Sequence, residues 1–196
     1  MNKQNNQSDE TDESLMASVA DGSSNALESL VHRYEQRLFN YLARMSGNRS
    51  DADDLFQETF LRVYKHRKRY DRTARFRPWL YQIATNVCKD HLKYMRHRRH
   101  ASLDTHADDG SAWSDRIADP APGPAAHAAL GDVRDALDRA VANLPDHQRS
   151  VFLMSRYEGL QYKEIADSLE IPVGTVKSRM NKAVNAVMQD VEAARQ

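Results

Sequence analysis

The sequence predicts an all-α protein of two small helical domains joined by a flexible linker, with a helix-turn-helix in the C-terminal domain. Apolar residues recur at three- and four-residue steps over most of the chain, which is the period of an amphipathic helix. Glycine is scarce, with 7 in 196 residues, and strand-like alternation is rare. A central PAPGP stretch cannot continue a helix and divides the pattern in two.

The composition limits the classes of function. A chain of 196 residues holds one ordinary domain or two small ones. No apolar run approaches the roughly 20 residues that span a bilayer, and the N-terminus is polar and acidic, which argues against secretion. The single cysteine, Cys88, excludes an internal disulfide and a Cys-rich zinc site. We therefore expect a cytoplasmic protein.

Changes in composition place the domain boundaries. We expect a disordered acidic segment over residues 1–14, an N-terminal helical domain over 15–100, a flexible linker over 101–129 and a C-terminal domain over 130–196.

Three helices follow one another in the first domain. The apolar steps predict a helix over 25–45 that ends near Gly47, and a second helix that begins at Ser50 or Asp51, which is a good N-cap. A third helix opens at Pro78, a residue type suited to a first helical position. The polar residues of the second helix lie away from its apolar stripe and form a ridge, which is either solvent surface or a docking face: Asp51, Asp54, Gln57, Glu58 and Arg62.

The zero net charge of the chain hides a strong segregation. Residues 62–100 hold thirteen Lys/Arg against two acids, a net charge of +11, whereas 101–148 carries −6. Aromatic side chains, Tyr70, Phe76 and Trp79 among them, are interleaved with these cations. Rings that stack on bases and cations that follow the backbone suit single-stranded nucleic acid. We interpret the block as a polyanion-binding surface, although any one of the rings taken alone fits a core position better.

The second domain carries the sharpest local motif. Two supporting helices are broken at Pro145, and a short helix over 162–169 is followed by a tight turn over 170–174 and a helix over 175–188. This is a helix-turn-helix, with the small Ala166 allowing close packing. Its second helix exposes side chains able to reach base edges and phosphates: Lys177, Ser178, Arg179, Asn181 and Lys182.

These segments, taken in order, resemble the bacterial extracytoplasmic-function (ECF) group of sigma factors. The resemblance covers about residues 15 to 190 and rests on DADDLFQETFLRVYKH, FRPWLYQIATNVCKDHLKYMRHR, a Pro-rich linker and NLPDHQRSVFLMSRYEGLQYKEIADSLEIPVGTVKSRMNKA. It implies binding to core RNA polymerase, recognition and opening of promoter DNA, and transcription initiation. It further implies an anti-sigma factor as a partner, and neither a cofactor nor a catalytic activity.

The resemblance assigns each surface a role. The ridge matches the surface that docks on the polymerase. The basic aromatic block and third helix match the element that reads and melts the minus-ten region, where Asn86 lies at the position that holds a flipped base. The residues implied for minus-ten DNA are Tyr70, Phe76, Trp79, Asn86, Lys89, Asp90, Lys93 and Arg96. Those implied for minus-thirty-five DNA are Thr175, Lys177, Ser178, Arg179, Asn181 and Lys182. Lys177 and Lys182 replace arginines common in the family, and lysine lacks the two-pronged contact of arginine with guanine.

Two other functions fit parts of the pattern. A conventional dimeric helix-turn-helix regulator would bind a palindromic site without polymerase, but it has no use for a docking ridge or a single-strand patch. A metal-dependent nuclease would need ligands such as His91, His97, His100 and His106, but no paired carboxylates accompany them at ligand spacing. We interpret Cys88 as a small core residue rather than a redox sensor.

Overall fold

The computed structural model describes residues 10–101 and 124–194, which form eight α-helices and one 3-10 turn, Arg67–Arg69. No strand occurs within these ranges, and the all-α prediction is confirmed. None of their helices has the length and apolar character required to cross a bilayer. The helices are α1 (Asp12–Ala20), α2 (Ser24–Ser46), α3 (Ala52–His66), α4 (Phe76–Ala101), α5 (Pro124–Asn143), α6 (Asp146–Arg156), α7 (Tyr162–Leu169) and α8 (Val173–Ala193).

Local capping defines the first two helices. Thr11 Oγ1 accepts a hydrogen bond from the Ser14 backbone N–H at 3.2 Å, and Ser23 Oγ accepts one from the Ala26 N–H at 3.3 Å. Gly47 closes α2 with φ 73°, a left-handed conformation that favours glycine. The end of α2 therefore lies where the sequence predicts it.

Helix α1 corrects the expectation of disorder at the end of the 1–14 segment, whose first nine residues lie outside the described ranges. It begins at Asp12, because Thr11 caps it and the acids Asp12 and Glu13 lie at the positive end of the helix dipole. The helix is held by packing as well as by its cap. Its buried side chains are Leu15, Met16 and Val19.

Helix α3 starts where the sequence predicts, whereas α4 starts slightly earlier than predicted. Asp51 occupies the N-cap position of α3, but its carboxylate lies 3.0 Å from His91 Nε2 on α4 instead of capping the helix. Helix α4 begins at Phe76 rather than at Pro78. Pro78 is tolerated in the first turn because N–H groups there have no intrahelical partner.

The second group of helices begins earlier than predicted. Helix α5 starts at Pro124, inside the 101–129 stretch expected to be a linker, because proline suits a first helical position and an Ala-rich segment follows. The part of that stretch over 102–123 lies outside the described residues. Pro145 separates α5 from α6, as predicted.

The helix-turn-helix is formed by α7 and α8. Gln161 and Glu164 make a capping box at the start of α7. The helix ends at Glu170, whose φ of 54° is left-handed. Helix α8 begins at Val173, slightly before the predicted Thr175. The order of elements matches the sequence-based prediction.

The two groups of helices pack against each other, which was not predicted. Helix α7 lies against α4, while α5 and α6 contact α2. Buried apolar side chains of both groups belong to one continuous core. The surfaces that the sequence singles out therefore have a defined mutual arrangement in this structure.

Candidate protein and nucleic-acid interfaces

The first surface is the ridge of α3, named here the α3 ridge: Asp51, Asp54, Gln57, Glu58 and Arg62. The opposite face of α3 is buried through Ala52, Leu55 and Val63. Asp54 and Gln57 are exposed, and the other three ridge residues are partly buried. The structure thus brings the predicted ridge together on one side of a single helix.

Part of the α3 ridge is tied to the neighbouring helix. Arg62 Nε donates to Glu58 Oε1 at 2.7 Å, and its Nη1 donates to Asp90 Oδ2 on α4 at 2.8 Å. With the contact between Asp51 and His91, this makes two polar links between α3 and α4. Glu58 and Arg62 are therefore paired with each other, and Arg62 also links α3 to α4. Asp54 and Gln57, in contrast, expose their polar groups to solvent.

Two exposed apolar side chains continue the ridge, and the sequence analysis did not place them on it. Leu61 is 64% exposed and Tyr64 is 44% exposed, and the Arg67 guanidinium lies 3.9 Å from the centre of the Tyr64 ring. Leu61 lies one helical turn after Gln57, so the helical periodicity that predicted the ridge also places Leu61 on the same face. Exposed apolar groups beside polar ones are typical of a protein-docking face.

The aromatic side chains of the basic block lie inside the fold. Phe76 is fully buried, Tyr70 is 6% exposed, and Trp79 is partly buried. The Tyr70 ring centre lies 4.9 Å from that of Trp79, and the Tyr70 hydroxyl donates to the Ala74 carbonyl at 2.5 Å. Burial, with nearby acids, raises the pKa of Tyr70 to about 12. In this arrangement the rings support the 70–76 loop, and no base can stack on Tyr70 or Phe76.

Helix α1 anchors the same loop through its acids. Glu13 Oε1 accepts a hydrogen bond from the Phe76 backbone N–H at 3.0 Å. Asp21 Oδ1 lies 2.5 Å from Arg72 Nη2. Of these two acids, Asp21, the C-cap of α1, neutralises one arginine of the basic block, a contact that charge counting alone does not show.

The exposed face of α4 carries the remaining minus-ten candidates. Asn86, Lys89, Asp90, Lys93 and Arg96 are all exposed. Of these, Asp90 pairs with Arg62 as described. Arg96 Nη1 lies 3.4 Å from Asp146 Oδ2 at the start of α6. The face is basic and polar, which suits contact with phosphates and with an unpaired base.

Helix α8 carries the minus-thirty-five candidates on its outer face. Its inner face is buried through Val176, Met180, Ala183 and Val187. Ala166 of α7 is 4% exposed, as expected of the small residue in a helix-turn-helix. On the outer face, Lys177, Ser178, Asn181 and Lys182 are exposed, and Thr175 and Arg179 are partly buried. A helix with donors along one exposed face fits a DNA major groove.

Neither cysteine nor metal chemistry is apparent in the described ranges. Cys88 is fully buried, and burial raises the pKa of its thiol to about 12, so it is not a reactive thiolate at neutral pH. No group of three potential ligands that includes His91 or His97 is assembled within residues 10–101 and 124–194. His106 lies outside them.

Family models match both groups of helices. Residues 30–99 match sigma-70 region 2, and residues 134–187 match sigma-70 region 4. The first match spans the α3 ridge and the exposed face of α4, and the second spans the helix-turn-helix.

Curated relatives align with most of the chain. The RNA polymerase sigma factor CarQ of Myxococcus xanthus is 36% identical over 85% of this chain and 90% of its own length. The ECF RNA polymerase sigma-E factor of Salmonella typhi is 30% identical over 93% of this chain and 95% of its own. The ECF sigma factor SigW of Bacillus subtilis is 29% identical over 88% of this chain and 92% of its own length.

Solved structures share the fold. CnrH, in complex with the cytosolic domain of CnrY, matches with a TM-score of 0.67 at 23% identity over 94% of this chain and 99% of that chain. The sigma factor RpoE of Bartonella quintana, in complex with the anti-sigma factor NepR, matches with a TM-score of 0.68 at 18% identity. The match covers 84% of this chain and 96% of that chain. Because identity is low, these two matches establish the fold alone.

Proposed function

Because the chain belongs to the ECF group of sigma-70 RNA polymerase sigma factors, we propose that its three exposed surfaces divide the work of promoter recognition. The α3 ridge docks on core RNA polymerase. The exposed face of α4 reads and melts the minus-ten element, and the outer face of α8 reads the minus-thirty-five element. Sigma factors are not enzymes, and the synthesis of RNA belongs to the polymerase.

One observation carries this division: α3 exposes a largely acidic face with apolar neighbours, whereas α4 and α8 expose basic faces rich in donors. The ridge on α3 is largely acidic, with Leu61 and Tyr64 at its end, as suits a protein partner. The faces of α4 and α8 are basic and rich in donors, as suits DNA. A conventional dimeric regulator is disfavoured, because region 2 and region 4 both match in the sigma-factor order.

The structure changes the roles proposed within the minus-ten set. Tyr70 and Phe76 are buried, and we assign them to shaping the 70–76 loop rather than to direct stacking. Asn86, Lys89, Lys93 and Arg96 are accessible and carry the direct contacts, while Asp90 orients Arg62. Asn86 is the candidate for holding a flipped base.

The proposed domains are α1–α4 and α5–α8, and the proposed setting is the cytoplasm, where polymerase acts. An anti-sigma factor is a proposed partner, because both structural neighbours are described in complex with another protein, one of them named an anti-sigma factor.

Run-off transcription with purified core polymerase and a library of promoter fragments tests the function. We expect specific transcripts that depend on this chain, and their start sites yield both promoter elements. If the chain instead binds one palindromic duplex tightly without polymerase and yields no transcripts, the regulator hypothesis replaces this proposal.

A further inference from the structure

Tyr94 lies near the end of α4 and is 61% exposed, the largest exposed fraction of any aromatic residue in the described ranges. Within residues 10–101 and 124–194, its ring stacks on no other ring or cation and its hydroxyl has no hydrogen-bond partner. Tyr64, which is also exposed, differs because the Arg67 guanidinium lies over one face of its ring. A single exposed ring is common on protein surfaces, so the neighbours of Tyr94 decide what the ring binds.

The neighbours of Tyr94 are cations. Residues 91–98 hold no acid and three exposed basic side chains: Lys93, Arg96 and Arg98. Lys93 and Arg98 have no ion-pair partner in the part of the chain that the structure describes. Free cations attract phosphates, and an accessible ring beside them offers a surface on which a base can stack. This is the combination that binds single-stranded nucleic acid.

Tyr94 also continues a row of exposed side chains along α4. Asn86, Asp90 and Tyr94 follow one another at four-residue steps, so they are neighbours along the helix surface, and all three are exposed. The Asp90 carboxylate pairs with Arg62 at 2.8 Å, which neutralises the acid of this row. The eight residues from Asn86 to Tyr94 span about 12 Å of helix, the length of about three or four stacked nucleotides. A strand whose flipped base lies at Asn86 therefore reaches Tyr94 within a few nucleotides.

We propose that Tyr94 is the residue of the minus-ten surface on which an unpaired base stacks, while Lys93 and Arg98 hold the adjoining phosphates. The site takes single-stranded DNA, because the faces of a base inside a duplex are covered by its neighbours. Tyr70 and Phe76 do not offer such a site, since both are buried. The proposal rests on the proposed function, because it assumes that the exposed face of α4 contacts the minus-ten element.

Four variants separate stacking from other effects of the side chain. Tyr94→Phe keeps the ring, Tyr94→Leu keeps only apolar bulk, and Tyr94→Ala removes both. Met188→Ala is the matched control, because Met188 is a similarly exposed apolar side chain, at 55%, but lies on α8. Both positions are exposed, so we expect all four variants to fold, and circular dichroism checks this.

The affinity of the reconstituted holoenzyme for a promoter whose minus-ten segment is already single-stranded measures the contribution of the ring. The promoter is one obtained by run-off transcription. We expect Tyr94→Ala and Tyr94→Leu to bind about five- to hundredfold more weakly than wild type, which is the loss that one base stack predicts. Tyr94→Phe and Met188→Ala should bind as wild type does. Equal affinities of Tyr94→Ala and Tyr94→Phe overturn the proposal.

The fluorescent base 2-aminopurine, whose emission falls when it stacks on a ring, locates the contact. It replaces one base of the opened segment at a time, and emission is measured with saturating holoenzyme so that differences in affinity do not contribute. We expect one position, about three or four nucleotides from the flipped base, at which emission is lower with wild type and Tyr94→Phe than with Tyr94→Ala. A merely structural effect would not be confined to one position. Identical emission of the wild-type and Tyr94→Ala complexes at every position contradicts stacking.

Assays of core polymerase separate this proposal from the function on which it rests. If Tyr94→Ala weakens binding to core polymerase in the absence of DNA, the ring is a protein contact and the stacking proposal is wrong. If wild type and Tyr94→Ala open the promoter and transcribe equally well, stacking at Tyr94 is wrong while the proposed function stands. Absence of transcripts with the wild-type protein overturns the proposed function itself.

Discussion

Single residues in this protein take roles that their sequence position only partly indicates. Arg62 belongs to the predicted docking ridge, yet its guanidinium binds Glu58 beside it and Asp90 on α4. Such partly exposed pairs add little stability on their own, but they orient the side chains that remain accessible. Asp54 is exposed and is therefore the cleaner probe of docking.

Asp54→Lys should weaken the complex with core polymerase several-fold, because a charge within a docking face controls association and specificity. Glu192→Lys is the matched control: it makes the same change from acid to lysine at an exposed position near the end of α8, off the α3 ridge. Native gel or anisotropy titration with core polymerase measures both. Equal affinity of the two variants would remove Asp54 from the docking surface.

Cys88 should resist alkylation in the native protein, because its side chain is fully buried and its pKa is raised to about 12. Mass spectrometry after brief treatment with iodoacetamide at neutral pH measures the labelled fraction. We expect labelling only after denaturant is added. Rapid labelling of the folded chain would instead revive a role for this thiol in redox sensing.

Helices α4 and α8 each have a buried stripe opposite the proposed functional face, so the face can be altered without unfolding the helix. On α4, Leu80, Ala84 and Val87 are buried while Asn86 and Lys89 are exposed. On α8, the buried residues alternate in the same way with the donors of the outer face. Substitutions on the outer faces should therefore report function rather than stability.

The triple variant Asn86→Ala, Lys89→Ala, Arg96→Ala should bind core polymerase normally and fail to open promoter DNA, because these side chains lie on the exposed face of α4 and away from the α3 ridge. Permanganate footprinting of unpaired thymines measures opening. Normal reactivity in the minus-ten region would show that this face does not melt DNA.

Replacing Lys177 of α8 by Ala should cost about 1 to 3 kcal/mol of binding at one minus-thirty-five position if the lysine reads a base. If it contacts only phosphate, affinity should fall equally for all sequences. The slope of log affinity against log salt concentration should then become less steep by about one. Titrations of the holoenzyme on promoter variants at several salt concentrations separate these two results. An unchanged affinity and slope would remove Lys177 from the interface.

The whole molecule combines two domains whose charges are complementary to each other and to their expected partners. Acids elsewhere in the chain balance the +11 block in the net charge, and two of them pair with it directly: Asp21, the C-cap of α1, with Arg72, and Glu164 of the second domain with Arg75. Weak binding of the free protein to DNA is expected for the same reason. To read two promoter elements about 60 Å apart, the domains are expected to separate on the polymerase, and residues 102–123 join them.

Removing residues 109–112 should leave transcription intact, because the rest of the 102–123 connection still reaches about 60 Å when extended. Removing residues 108–123 leaves a reach of only about 20 Å and should abolish transcription from the same promoter. Binding to core polymerase through the α3 ridge is the control, and we expect both deletions to retain it. Full transcription by the longer deletion would show that the two domains need not separate.

The local features of this protein were determined by the sequence itself. Helix periodicity, the Gly47 cap, the Pro145 break and the helix-turn-helix depend on neighbours a few residues apart, so they were predictable. The ridge on α3 and the donor face of α8 were predicted from the same helical periodicity of apolar residues. Their order along the chain identified the family.

Tertiary structure alone decided which side chains cover those faces. The sequence left Tyr70 and Phe76 open between core positions and part of a stacking surface, and packing makes them core residues. Glu158 is buried against Tyr81, 77 residues earlier in the chain. The pairing of Arg96 with Asp146 is equally remote. The physical reason is that periodicity shows which face of a helix is apolar, whereas the partner that desolvates or neutralises a given side chain is set by packing between distant segments.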